Sequence, residues 1–422
     1  MNTLRKISYI SIAMWLMLIS AYAQQSLLLQ NATIFDGAAN KTPYKGSIWI
    51  TNGEIRKIFQ GTVNVPKGTE VIDCHSKFIV PGLIESHIHL ATIDLTDTIA
   101  AKDHTDKILH NMVRHGITTV RDMTGYAPYL AYYQRESEVG HKIAPSIFYA
   151  AQFAGPGYFK MFENQSSKPM GVSPWERAIT DTTDIEKAVK EAKEIGATGI
   201  KTYAELSESQ FSTIVKAAKK NGLLVWSHAT IFPIQPSDIA KYKIQSLSHA
   251  ADVLFEQLPK DSVDLSYAWQ RVYQGMKPDQ EVLQSLFSQM KTNHIFFDPT
   301  VFHATNNRLN YSTDIVRWAH QAGVKIVAGT DWIYSEDKDE MVPLYDEVWL
   351  YMEKSGLSAL EAIETLTSHG ATVIGLNDRG LIRKGKRADI LILDQNPLSD
   401  IRALFEPNTV IKKGNIIFDR DK

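Results

Sequence analysis

Cysteine is nearly absent from this chain: Cys74 is the only one among 422 residues. That excludes an intramolecular disulfide in any compartment, and it excludes structural zinc of the multi-cysteine kind. Charge of one sign is missing as well. Lys and Arg number 45 against 47 Asp and Glu, and no basic stripe runs through the sequence, so nucleic acid is not an expected partner. There is no low-complexity tract. Long apolar runs are confined to one place, residues 7–20, which follow Arg5 and Lys6 and precede Ala21-Tyr22-Ala23. That order matches a secretory signal with a small-x-small cleavage site. The run is short against the roughly 20 apolar residues of a spanning helix. The sequence therefore predicts a signal peptide at 1–23 and a periplasmic or secreted mature chain with no stable membrane span. An uncleaved anchor is the alternative. Removing the segment deletes two positive charges and no acid, taking the net charge from −2 to −4. No cysteine follows the cleavage point, so a lipid anchor there is not expected.

What is present is histidine in a telling place. The apolar run FIVPGLIESHIHL, residues 78–90, ends in His87 and His89. Side chains at i and i+2 of a strand share a face, so two imidazoles are presented together while Ile88 turns into packing. Paired neutral imidazoles are a natural start for a transition-metal site. Alone, an H-x-H is weak, and the rest of the chain must supply further ligands.

The chain length suits one large barrel with an accessory domain. Residues 26–80 read as short strands bounded by Gly, Asn and Pro, and ADILILD and NTVIKKGNIIFD near the C-terminus read likewise. Between them, apolar strands alternate with amphipathic helices. Residues 184–195 place Ile185, Ala188, Val189, Ala192 and Ile195 on one face. Ser207 with Gln210, and Ser358 with Glu361, have capping-box spacing. Candidate strands are 117–123, 146–152, 199–203, 223–229, 244–250, 294–300 and 325–331. With the strand that holds His87 they make eight. Eight such units predict a (β/α)8 barrel over 81–376. A small β-sandwich is expected from 24–80 plus 377–422.

Catalytic residues of such barrels lie at the carboxyl ends of strands, and the polar residues fall there. His87 and His89 end strand one, Arg121-Asp122 end strand two, and Lys201 and Tyr203 lie on strand four. His228, His249 and Asp331 end strands five, six and eight, and Asp298-Pro299-Thr300 end strand seven. Polar groups in apolar strands are costly unless paired, so their recurrence at one rim predicts a site.

PGLIESHIHL, GITTVRDMTG, GIKTY, SHA at 227–229 and 248–250, GVKIVAGTDW and GLIRKGKRADILILDQNPL together resemble the metal-dependent amidohydrolase superfamily. The likeness is greatest to its branch of imidazolonepropionase-like and prolidase-type proteins. It implies a binuclear centre of two divalent ions, zinc being the expected metal. His87, His89 and Asp331 would hold one ion, and His228 and His249 the other. Lys201, carboxylated, would bridge them. A hydroxide shared by the ions would attack an amide-type carbon–nitrogen bond, with Asp331 moving the proton. Ester, lactone or phosphotriester hydrolysis at the same site, deamination, which the lysine bridge speaks against, and a catalytically dead barrel that binds ligands are the competing readings.

Arg121, Tyr203 and His303 are candidate contacts to a small-molecule substrate, although Arg121 reads equally as a structural clamp. The aromatic-rich segments 152–180 and 251–280 are expected to be long loops shaping the pocket, and homo-oligomerisation stays open. Two departures from the family pattern stand out. Dipeptidase relatives often carry Tyr shortly after the strand-five histidine, where this chain has His228-Ala229-Thr230-Ile231-Phe232, and Glu85 occupies a position where Asp is commoner.

Overall fold

The computed structural model describes residues 26–91, 97–162, 169–259, 270–306, 309–332, 334, 336 and 340–422. The expected signal at 1–23 lies outside the described residues. Two sheets organise the rest. Residues from both ends of the chain build one eight-stranded mixed sheet. Its N-terminal strands are Ser26–Ile34, Tyr44–Thr51, Glu54–Phe59, Glu70–Asp73 and Phe78–Pro81; its C-terminal strands are Ile390–Leu393, Thr409–Lys412 and Asn415–Asp419. Phe78–Pro81 is the join, parallel to Ser26–Ile34 on one side and antiparallel to Ile390–Leu393 on the other. Hydrogen bonding links the strands of this expected small β domain into one continuous sheet. It has its own apolar cluster, including Leu29, Ile34, Ile48, Cys74, Ile390 and Ile411.

The apolar run at 78–90 belongs to both sheets. It divides at Gly82, and Leu83–Ile88 becomes the first barrel strand. A Cβ on Gly82 would lie 2.3 Å from Thr118 Oγ1, so only glycine lets the chain pass this close to the second barrel strand.

The barrel strands follow in sequence order: Leu83–Ile88, Ile117–Asp122, Ser146–Ala154, Gly199–Thr202, Leu224–His228, Ser246–Ser248 and Phe296–Asp298. All pair in parallel with their neighbours. The eighth position is not a regular strand. Residues 325–332 cross it in an irregular path that makes single bridges, Phe297 to Ile326 and Ile88 to Trp332. Backbone bonds nonetheless shut the seam on both sides: Val327 N–H donates to Phe297 O (2.9 Å), Ser86 N–H to Ala328 O (2.9 Å) and Asp331 N–H to His87 O (2.8 Å). The ladder is interrupted because Asp331 has a left-handed backbone (φ 55°), which a strand cannot continue through.

The helices lie where the apolar periodicity puts them. Ile185–Glu194 buries Ile185, Ala188, Val189 and Ala192. Glu208–Lys220 and Ala359–Leu366 begin at Ser207 and Ser358, each with both arms of a capping box made. The segments expected as plain loops carry structure of their own. A short helix, Pro156–Phe162, and a hairpin of Val172–Ser173 with Glu176–Ala178 occupy the first, and the hairpin adds to the third barrel strand. A 3-10 helix, Ala251–Gln257, opens the second. Among the described residues no helix is long and apolar enough to cross a membrane.

Candidate metal centre

The carboxyl ends of the barrel strands bring His87, His89, Lys201, His228, His249 and Asp331 to one rim. His228 is the last residue of its strand, and His249 follows directly after Ser248. Asp331 Oδ1 lies 3.3 Å from His87 Nε2 and 2.8 Å from His89 Nε2. The His87 ring sits 5.0 Å from that of His249, which in turn stands 4.0 Å from that of His228.

Among the described residues, two sets have ligand atoms within 4.8 Å of one another: His87, His89 and Asp331, and His228, His249 and Asp252. Each is two imidazoles and a carboxylate, a donor set suited to a divalent transition metal.

The nitrogens on the far side of these rings are held from behind, as ligating histidines require. His87 Nδ1 meets Asp298 Oδ2 at 2.7 Å, and His89 Nδ1 meets Thr124 O at 3.2 Å. His249 Nδ1 lies 2.9 Å from Thr300 Oγ1. His228 Nδ1 has both the hydroxyl and the backbone N–H of Thr230, at 2.5 and 3.0 Å. The residues present therefore fit a pair of divalent ions.

Beneath the rim lies a buried ion cluster. Asp298 Oδ2 also accepts from Arg121 Nη2 (2.8 Å) and Ser248 Oγ (3.0 Å). Arg121, wholly buried, also donates through Nε to Ser86 O and through Nη1 to Ser246 Oγ, and its guanidinium stacks 4.9 Å over Trp226. Its polar reach is thus spent on the barrel interior. Glu85 is fully buried as well and accepts from His87 N–H, Thr330 N–H, Thr330 Oγ1 and Tyr334 Oη. It ties the first strand to the eighth position, and burial pushes its carboxyl up to about 7 against those donors.

Lys201 is 3% exposed and its Nζ donates to Ser248 Oγ at 3.1 Å. Burial lowers its ammonium to about 8, opposed by the charges of Asp298 and Asp331. Burial would raise Asp331, but the charge of His87 and the hydrogen bonds from His87 and His89 hold it well below the usual carboxylate range.

Three residues of the rim, His249 (φ 74°), Thr300 (φ 47°) and Asp331 (φ 55°), have left-handed backbones. Such conformations cost on the order of 1–3 kcal/mol each and cluster at functional sites.

Tyr203 packs its ring 4.0 Å from His228 and 4.4 Å from Tyr158. His303 begins the far wall, with Nδ1 3.9 Å from Asp331 Oδ2 and its ring 6.0 Å from Trp332. Of the three candidate substrate contacts, Tyr203 and His303 border the cluster, whereas Arg121 lies under it.

Asp252 was not singled out from sequence. Its one signal is an acid three residues after the strand-six histidine. Thr230 and Thr300 gave none, because a threonine that supports an imidazole looks like any other.

A family model described as the amidohydrolase family matches residues 78–417. An adenine deaminase from Clostridium perfringens is 25% identical over 406 residues, covering 94% of this chain and 60% of its own length. The chain thus spans about 60% of that relative. Among solved structures, a Xaa-Pro dipeptidase with methionine bound in its active site superposes with a TM-score of 0.74 at 20% identity, over 93% of this chain and 99% of its own. Ochratoxinase from Aspergillus niger superposes with a TM-score of 0.71 at 20% identity, over 94% and 96%. Its sequence is 34% identical over a stretch of 104 residues, 24% of this chain and 20% of that protein.

Proposed function

The chain belongs to the amidohydrolase family, and from that premise we propose that it is a binuclear metal-dependent hydrolase of an amide-type carbon–nitrogen bond, exported to the periplasm or secreted. The observation that carries this reading is the pairing of two histidine–carboxylate sets at one barrel rim, with buried Lys201 beside Ser248 beneath them. His87, His89 and Asp331 would hold one divalent ion, zinc by its liking for imidazole, and His228 and His249 the other, with carboxylated Lys201 between them. Bound there, the ions supply a deprotonated water near neutral pH and polarise the scissile carbonyl.

The chain's own residues do the rest. Asp331 turns Oδ1 to His87 and His89 and Oδ2 toward His249 and His303. Oδ2 takes the proton of the attacking water and returns it to the departing nitrogen, which a carboxylate does when within hydrogen-bond reach of both. Tyr203, Tyr158, Phe302 and Trp332 give the surroundings an aromatic character, which suits an acyl or aryl group better than a charged one. The relatives support the bond class: an adenine deaminase and a Xaa-Pro dipeptidase are named for action at carbon–nitrogen bonds.

The test is hydrolysis of a library of dipeptides and N-acyl amino acids by zinc-loaded protein in bicarbonate, with adenine and an ester series alongside. Turnover is expected for members of the amide series, and Lys201→Ala should lose the second zinc equivalent and nearly all turnover. A Lys201→Ala protein with both ions and full activity would remove the bridge. Turnover of esters alone would replace the amide reading with the ester one.

A further inference from the structure

The second ion, as the family resemblance describes it, has two imidazoles and a share of the modified lysine, but no carboxylate of its own. The structure supplies one. We infer that Asp252 is a direct ligand of that second ion, held in place by Tyr273, so that each ion has two imidazoles and one private carboxylate. This rests on the binuclear reading above.

The argument begins with local geometry. The 3-10 helix Ala251–Gln257 starts just past His249, and Asp252 N–H donates to His249 O at 3.2 Å. That i to i+3 bond closes a tight turn, which returns residue 252 toward residue 249. The result is a carboxylate only 2% exposed at the rim.

Its neighbours are those of a ligand. Asp252 Oδ2 stands 3.4 Å from His228 Nε2. That is long for a hydrogen bond between charged groups. It equals about the edge of a tetrahedron whose corners lie 2.0–2.1 Å from a common ion. On the first side, Asp331 Oδ1 stands 3.3 Å from His87 Nε2 and 2.8 Å from His89 Nε2, so the His228–Asp252 distance is close to the longer of the two.

The other oxygen is occupied from behind. Tyr273 Oη donates to Asp252 Oδ1 at 2.5 Å, which leaves Oδ2 to face His228. Ligating carboxylates are characteristically hydrogen-bonded in this way by an outer group. Among the described residues, this buried carboxylate faces His228, and the charge of Lys201 also acts on it.

The test follows zinc binding directly. Wild type, Asp252→Asn, Asp252→Glu and Tyr273→Phe are stripped with a chelator and titrated with zinc against a chromophoric competitor in bicarbonate. Cobalt loading is followed by visible absorption. Wild type should take two equivalents. Asp252→Asn should keep the first at wild-type affinity and lose more than about 100-fold on the second, beyond the 10–100-fold that outer-shell changes cost. Its second cobalt ion should also show an altered spectrum. Asp252→Glu should keep two equivalents with a weakened second, and Tyr273→Phe should weaken the second by about tenfold.

Wild-type affinity for the second zinc in Asp252→Asn overturns the inference and leaves the binuclear reading standing. So does a loss no larger than that of Tyr273→Phe with an unchanged cobalt spectrum. If Asp252→Asn does not fold, the glutamate variant decides: a second zinc bound at wild-type affinity with an unchanged cobalt spectrum overturns the assignment. Only one equivalent in wild type fells both readings together.

Discussion

Asp298 gathers several of the centre's polar and charged groups from beneath. One of its oxygens serves His87, Arg121 and Ser248 at once, and side-chain exposure at both Asp298 and Arg121 is zero. Burial would raise its carboxyl, but the charges of His87 and Arg121 hold it well below the ordinary range. Asp298→Ala would leave a guanidinium buried without its anion, and breaking such a pair costs about 3–5 kcal/mol. Urea denaturation of the chelated protein should show a loss of that size, and zinc affinity at the first site should fall because His87 loses its support. A variant as stable as wild type would mean that water replaces the carboxylate. Residue identities at the rim were legible from sequence because each of His87, His228, His249 and Asp331 sits at a strand end, where a polar group has no structural excuse. Asp252 was not legible. It lies past the strand, in a turn whose 3-10 geometry no local pattern announced. Arg121 showed the opposite problem: the strand-end position marked it as part of the centre, but only packing tells that its guanidinium points inward to Asp298 and Trp226.

At the scale of elements, helices were easier to read than strands. Helix starts have a chemical signature, and Ser207 fulfils it: its Oγ accepts from Gln210 N–H at 3.3 Å while Gln210 Oε1 accepts from Ser207 N–H at 2.9 Å. Ser207→Ala should cost about 1 kcal/mol of stability, read as a lower urea midpoint with an unchanged slope and unchanged activity, since the helix starts outside the metal cluster. The eighth strand shows the limit of periodicity. KIVAGTD has the composition of a buried strand, but its end must also aim Asp331 at two imidazoles. That requirement imposes a left-handed residue and breaks the ladder. Gly329 belongs to the same compromise: a Cβ there would lie 2.7 Å from His87 Cβ and 2.9 Å from Asp298 Oδ1. Within the run at 78–90, the division at Gly82 depends on a close approach to Thr118 that the folded barrel creates.

For the molecule as a whole, the proposed metal centre would be coupled to the fold through the seam. Ser86 and Asp331 donate the backbone bonds that close the barrel, and they flank or include residues that would hold the first ion. Ligand binding adds stability by mass action, about 2.7 kcal/mol at one hundred times the dissociation constant. Chelation should therefore lower Tm, and zinc should restore it. Hydrogen exchange should quicken first at the amides of Ser86 and Asp331, while those of the second and third strands stay protected. Uniform exchange across the barrel would uncouple the seam from the ions.

The terminal sheet has a consequence in time. Its central join pairs Phe78 with Leu393, and the whole barrel is looped out between the two partners. Lys412, also near the chain's end, is buried and reaches Ser137 Oγ and Ala144 O beside the third barrel strand. During synthesis, Phe78–Pro81 therefore keeps one edge open until Ile390–Leu393 has emerged. A chain interrupted before residue 390 would be left ajar for strand exchange with its neighbours.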